Sequence, residues 1–355
     1  MKSALQKQFT GNPLSGKKTK LIFSALFIAV VIFFLLDLFL GSVSIRFTEV
    51  LRSFFTSANT DFETIVIKFR LPKAITAVIV GVALSLSGLQ MQTVFRNPMA
   101  GPYVLGISSG ASLGVAFVIL GFSSDITPDS LNGLGNWILV AASWVGAGAV
   151  MLLILAISSR VKDIMTILIL GIMLSSGISA IVTIMQYFSN ETMLKAYVIW
   201  TMGSLGNLTD NQLHVLLISV SAGVILSLFS SKMLNALLLG ENYAGSIGLN
   251  VKFARLVLFI CTSILAGSVT AFCGPIGFIG IAVPHIVRVL FKTSDNKVLI
   301  PGTILMGATV MLISDIVSQL PGSENVLPVN AVTSLIGIPV VIWVILRNRK
   351  YSGQF

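Results

Sequence analysis

Apolar runs of span length, parted by short stretches that carry almost all the charge, succeed one another along the chain. A helix rises about 1.5 Å per residue, so about 20 apolar residues cross the roughly 30 Å of a bilayer's hydrocarbon. The pattern predicts ten membrane-spanning helices, near 21–41, 73–93, 98–120, 136–158, 164–188, 211–231, 253–273, 278–292, 298–319 and 328–346. The expected fold class is all-α: a polytopic membrane protein with a basic tail over 1–20, a helical membrane domain over 21–346 and a short tail over 347–355. The second to fifth spans and the seventh to tenth are offset by five, and with ten spans an odd offset makes the two sets inverted relative to one another, as expected of inverted repeats, although the residues themselves show no repeat.

Composition agrees with that reading. With 55% hydrophobic and 10% charged residues and a mean hydropathy of +0.95, the chain lacks the roughly 25% of charged residues that a soluble domain carries. Its formal charge of +10 is scattered between apolar runs rather than gathered on one stripe, which argues against a nucleic-acid partner. The same residues read as topology signals. With a cytoplasmic N-terminus, seventeen Lys and Arg fall on the inner side and six on the outer, the positive-inside bias, and both termini are cytoplasmic. The outer side collects acids instead: Glu49, Asp61, Glu63, Asp125, Asp129, Glu191, Asp210 and Glu324.

The sequence weakens several chemistries. Asp37 and Asp315 are the only carboxylates placed within spans, both near helix ends, whereas an ion-coupled carrier keeps an ionisable relay near the midplane. Such a carrier is the alternative reading. Gly11 to Lys18 nearly matches a phosphate-binding loop, but Lys18 stands where a magnesium-binding hydroxyl is needed and no strand precedes it. Any ATP is therefore bound by another chain. The two histidines, His214 and His285, have no paired metal-ligand spacing, and no metal site is expected. Cys261 and Cys273 stand twelve apart, about 18 Å along a helix, too far for a disulfide.

Three regions break the pattern. In Arg70 to Gly114, small residues at helical spacing allow close helix approach, but Arg96-Asn97-Pro98 and Gly101-Pro102 interrupt the helix. In Gly274 to Arg288, GPIGFIGIAVPHIVR, Pro275 and Pro284 each remove a backbone donor and the glycines loosen what lies between. Backbone groups freed at membrane depth must face protein or a watery cavity. His285 and Arg288 share a helical face there, His285 suited to bond a freed carbonyl and Arg288 to anchor the inner interface. The third region is the long inner connection Ser231 to Arg255, amphipathic and punctuated by Gly240, Gly245 and Gly248, with Glu241 one of few inner acids.

Together these regions resemble the permease subunits of ABC importers for iron-siderophore complexes, haem and vitamin B12. The resemblance rests on RLPK at Arg70 to Lys73, the run from Ser87 to Ala111, LGENYAGSIGLNV from Leu239 to Val251, and GPIGFIGIAVPHIVR. It implies an ABC importer permease in the inner membrane of a bacterial cell, with no catalytic residue and no cofactor of its own. Its partners would be a second copy of the chain, two cytoplasmic ATPases that bind ATP and magnesium, an extracytoplasmic binding protein and the lipid membrane. The cargo would be a metal chelate, an iron-siderophore complex first, then cobalamin, then haem.

The resemblance also assigns roles. Leu239, Gly240, Glu241, Ala244, Gly245 and Gly248, in a loop over about 232–252, would couple to the ATPase. Gln90, Asn97, Pro98, Gly106, Ser108, Ser109 and Gly110, with Gly274, Pro275, Phe278, Pro284 and His285, would line the pathway or its gate. Arg70 and Lys73 would dock the binding protein, and Gln319 stands where the family often carries a further docking arginine.

Overall fold

Helix α1, Gly16–Phe39, is the first apolar run made regular, and only Leu26, Asp37 and Leu38 along it are buried. The computed structural model describes residues 16–41, 64–121, 134–161, 163–321 and 326–352. Gly11 to Ser15 and the predicted outer acids Glu49, Asp61, Glu63, Asp125, Asp129 and Glu324 lie outside the described residues. The remaining helices are α2 Leu71–Val94, α3 Ile107–Gly121, α4 Leu134–Arg160, α5 Ile164–Tyr187, α6 Glu191–Thr201, α7 Asp210–Phe229, α8 Ser231–Leu238, α9 Glu241–Ser246, α10 Val251–Thr262, α11 Ser268–Cys273, α12 Ile279–Phe291, α13 Asn296–Ser318 and α14 Val329–Ser352. A π-turn, Ile65–Arg70, leads into α2, and another, Ser263–Gly267, joins α10 to α11.

Among the described residues, seven helical segments are long and apolar enough to cross a membrane, and three shorter apolar helices accompany them. Together they stand at the ten predicted places. The third span starts late: Pro98 and Gly101-Pro102 exclude regular helix, a 3₁₀ turn runs over Pro102–Leu105, and Gly106 turns left-handed at φ 76° before α3 begins. At the other end α14 continues to Ser352, through most of the predicted tail. Helix α6 was not among the predicted spans, being short and carrying Glu191 and Lys195; the Asn190 side chain caps it by accepting from Met193 N at 2.9 Å.

The chain divides into two compact units. The first comprises Met1–Leu89, Leu205–Val215 and Gly277–Phe355, the second Gln90–Ser204 and Leu216–Ile276. Each draws on both halves of the sequence, so the units are not the two expected repeats.

In the first unit, α13 packs against α1, α12 and α14. Backbones touch where side chains are missing. A Cβ at Gly81 would overlap the carbonyl of Gly307, and one at Gly88 the carbonyl of Gly280. Phe23 meets Phe291 with ring centroids 4.7 Å apart. In the second unit, α3 packs on α4, α5 and α6, with Gly110 against Gly146 and Gly114 against the Ala142 carbonyl. In lipid, where apolar burial between helices gives little drive, such close approach supplies the packing attraction that holds spans together.

Candidate functional site

The predicted coupling residues lie on one continuous segment of the second unit. Helix α8 buries Leu234 and Leu237, and Gly240 then breaks the helix at φ 112°, ψ 150°, a conformation closed to most side chains. Helix α9 follows, anchored by fully buried Ala244. Leu239, Tyr243 and Ile247 remain more than half exposed, four residues apart along the segment. A Cβ at Gly245 or Gly248 would meet no atom within 4 Å, and Gly248 is left-handed at φ 88°. Glu241 accepts from Arg255 of α10, whose Nε lies 2.9 Å from Oε1 and whose Nη2 reaches the same oxygen. Asn250 closes the segment by capping α10, its Oδ1 accepting from Phe253 N at 3.1 Å.

The residues expected along the pathway divide between the two units. In the second unit Gln90 is 1% exposed, and its amide is spent on a polar cluster between helices. Its Nε2 donates to Ser227 Oγ at 2.8 Å and approaches Cys261 Sγ at 3.2 Å, and its Oε1 accepts from Thr262 Oγ1 at 2.9 Å. Asn97 turns the chain after α2: its N–H reaches Gln92 O, and its Oδ1 accepts from Met99 N at 2.9 Å beside exposed Pro98. Gly106 and Gly110 are buried in packing, and Ser108 Oγ lies 3.2 Å from Thr270 Oγ1, leaving Ser109 as the half-buried member. Gly274 is buried and left-handed, stopping α11 where Ser204 N donates to the Cys273 carbonyl at 2.9 Å. Pro275 beside it is half-buried.

In the first unit the Gly277 N–H donates to Asn330 Oδ1 at 2.9 Å, and Phe278 starts α12 at φ 65°. A non-glycine residue held there is strained. A Cβ at Gly337 would collide with the Phe278 side chain, so α14 has a glycine where that strained residue presses on it. Pro284 and His285 are buried farther along α12.

Arg70 and Lys73 sit in a buried polar cluster of the first unit. Arg70 Nη1 donates to the carbonyls of Leu38 and Phe39, each at 2.9 Å, serving the orphan acceptors at the end of α1. Lys73 pairs with Asp315 at 3.0 Å. Gln319 Nε2 donates to Asp37 Oδ1 at 2.9 Å and to Asp315 Oδ2 at 3.1 Å. A Cβ at Gly41 would crowd both Arg70 and Gln319. The sequence signal for this cluster was the pair of in-span carboxylates, but not which residues they would meet. Among the described residues, no group of three His, Cys, Asp or Glu side chains is placed to hold a metal.

The profile of the FecCD transport family matches residues 29–347. The chain belongs to that family. This FecCD permease is 35% identical over 333 residues to the hemin transport system permease protein HmuU of Yersinia pestis, covering 93% of this chain and 97% of that one. It is 37% identical over 289 residues to the vitamin B12 import system permease protein BtuC of Salmonella newport (strain SL254), covering 81% and 85%. Among solved structures it is similar to a transporter assigned to the metal-chelate ABC type, in an inward-facing conformation, with a TM-score of 0.78 and 27% identity over 92% of this chain and 99% of that one. The FecCD permease is thus a multi-pass membrane protein with the fold of an ABC importer permease, and the relatives it matches are transport subunits rather than enzymes.

Proposed function

We propose that this permease forms the membrane channel of an ATP-driven importer for a metal chelate, an iron-siderophore complex first, with cobalamin and haem the other two cargoes. The observation that carries the reading is the segment Leu239–Asn250. It presents Leu239, Tyr243 and Ile247 unburied, on short helices pinned from behind by Ala244 and the Glu241–Arg255 pair. Exposed apolar side chains rimmed by polar ones suit a protein partner. That partner is a cytoplasmic ATPase, which binds the ATP and magnesium, and the side bearing the segment is the cytoplasmic one, as the distribution of Lys and Arg favours. The same distribution favours both termini on the cytoplasmic side, and membership of the FecCD family supports the inner membrane of a bacterial cell as the location.

The working assembly holds two copies of the chain, two ATPases and an external binding protein that does most of the selecting. Of the residues assigned to the pathway, Pro98 is exposed and Asn97, Ser109, Pro275 and Phe278 are half-buried. An ion-coupled carrier is the weaker reading, because Asp37 and Asp315 lie within one turn of the ends of α1 and α13 and a relay belongs near the midplane.

The test is reconstitution in vesicles with an ATPase and a binding protein of the same importer family from the same organism, offering iron-loaded ferrichrome, cyanocobalamin and hemin in turn. ATP-dependent uptake of one of the three supports the proposal. Uptake by the permease alone, driven by a proton or sodium gradient, overturns it in favour of the carrier.

A further inference from the structure

The exposed face of the Leu239–Asn250 segment invites a partner, but its buried side raises a separate question: how would movement of so short an element reach the spans? Two basic residues meet it there. Arg96 stands just past the end of α2 with its backbone at φ 46°, and its Nη1 is 3.4 Å from where a Gly240 Cβ would sit. Arg255, in the second turn of α10, is 5% exposed and grips Glu241 through two nitrogens.

The two contacts differ in kind. Arg96 is exposed and lies alongside a glycine, a contact of shape that the segment can leave without stranding a charge. Arg255 is a buried cation whose ion-pair partner, Glu241, is on the moving element. If Glu241 moves and Arg255 does not follow, a buried guanidinium loses that ion pair, which costs more than breaking a surface pair. The two nitrogens on one oxygen also fix the approach direction as a single contact would not. Asp163, which caps α5, lies within the field of Arg255. Its carboxyl is held below the usual range, first by the Thr166 hydroxyl and backbone hydrogen bonds and last by that charge.

We propose that Arg255 is the positioning residue through which displacement of the Leu239–Asn250 segment is passed into α10. The inference rests on the reading that this segment seats on the ATPase, and it adds the link by which docking becomes span movement. Glu241 is the handle, Arg255 the grip, and α10 the first span to move.

Hydrogen exchange on the purified permease–ATPase complex separates the two levels, comparing no nucleotide with ATP–magnesium–vanadate. In the parent complex, nucleotide should alter exchange both in 239–250 and in the first two turns of α10. In Arg255→Ala the response of 239–250 should persist while that of α10 falls by about fivefold or more, the low end of measured site-to-site coupling. Arg255→Lys, which keeps the charge but loses the fork, should fall between. Glu241→Gln, which preserves volume, should reproduce the Ala result and serves if Arg255→Ala does not fold. An unchanged α10 response in the folded variants overturns the inference. So does loss of both responses with the ATPase still bound, since the pair would then only build the docking face. Absence of any change in 239–250 when the ATPase is added to the parent chain refutes the docking reading itself, a result visible before any variant is made.

Discussion

Lys73 places its ammonium 3.0 Å from Asp315 Oδ1, and the carboxylate it meets is fully buried. This pairing makes Lys73 part of the scaffold as well as of the surface. Lys73→Met should leave Asp315 buried without its cation, at a cost of roughly 3–5 kcal/mol for an uncompensated buried charge. Adding Asp315→Asn should recover part of the loss. Thermal unfolding in detergent checks both, and a Lys73→Met variant as stable as the parent would return Lys73 to docking alone.

The Gln90 cluster makes a prediction of the opposite kind from a pathway role. Gln90→Leu should cost about 1–2 kcal/mol, the range for interhelical hydrogen bonds in membranes, because Thr262 loses the acceptor of its hydroxyl and Ser227 loses a donor. Combining it with Thr262→Val should cost less than the sum of the two singles. Labelling gives the companion test. Gln90→Cys should resist water-soluble maleimides while Ser109→Cys reacts, and rapid labelling at position 90 would move that residue into the passage.

Glycines on this chain separate by what surrounds them. Gly88→Val would drive a branched side chain into the Gly280 carbonyl, and Gly337→Ala would press on strained Phe278. Each should lower thermal stability by roughly 1–3 kcal/mol or prevent folding. At Gly148 and Gly177, by contrast, an added methyl group would find nothing within 4 Å. Alanine there should stabilise the isolated chain by up to about 1 kcal/mol, the helix-propensity difference. If Gly177→Ala instead impaired pairing of two copies, that open space would belong to an interface.

Gly245 offers the same test at the partner surface. Because no atom lies within 4 Å of the added carbon, Gly245→Trp should leave the melting temperature of the permease unchanged. Its bulk should prevent productive seating on the ATPase and abolish ATP-driven uptake. Uptake at the parent rate would remove 239–250 from the coupling role.

The spans were legible because each is a run of apolar residues long enough to cross a membrane, a property that belongs to local sequence. The breaks were legible for the same reason: Pro98, Pro102 and Gly274 act on their own backbone. Even there the outcome differed in detail, since Asn97–Gly106 became a turn and a 3₁₀ segment rather than the start of a span. Helix α6 escaped notice because its eleven residues include two charges and make no run of span length. What stayed hidden was pairing. Gln90 finds Ser227 and Thr262 at separations of 137 and 172 residues, and Lys73 finds Asp315 across most of the chain. No periodicity encodes such meetings. The charge count could place Arg70 and Lys73 on one side of the membrane, yet could not tell that the Arg70 guanidinium would turn inward onto the last carbonyls of α1.

Both native thiols are enclosed, Cys261 at 0% exposure within the Gln90 cluster and Cys273 at 3% where α11 stops. The chain therefore carries its own blank background for site-directed spectroscopy. A lone reporter cysteine at Ser109, Tyr243 or Ile247 can accept a spin label or fluorophore without first removing the natural pair, whose removal at position 261 would disturb the polar cluster it belongs to.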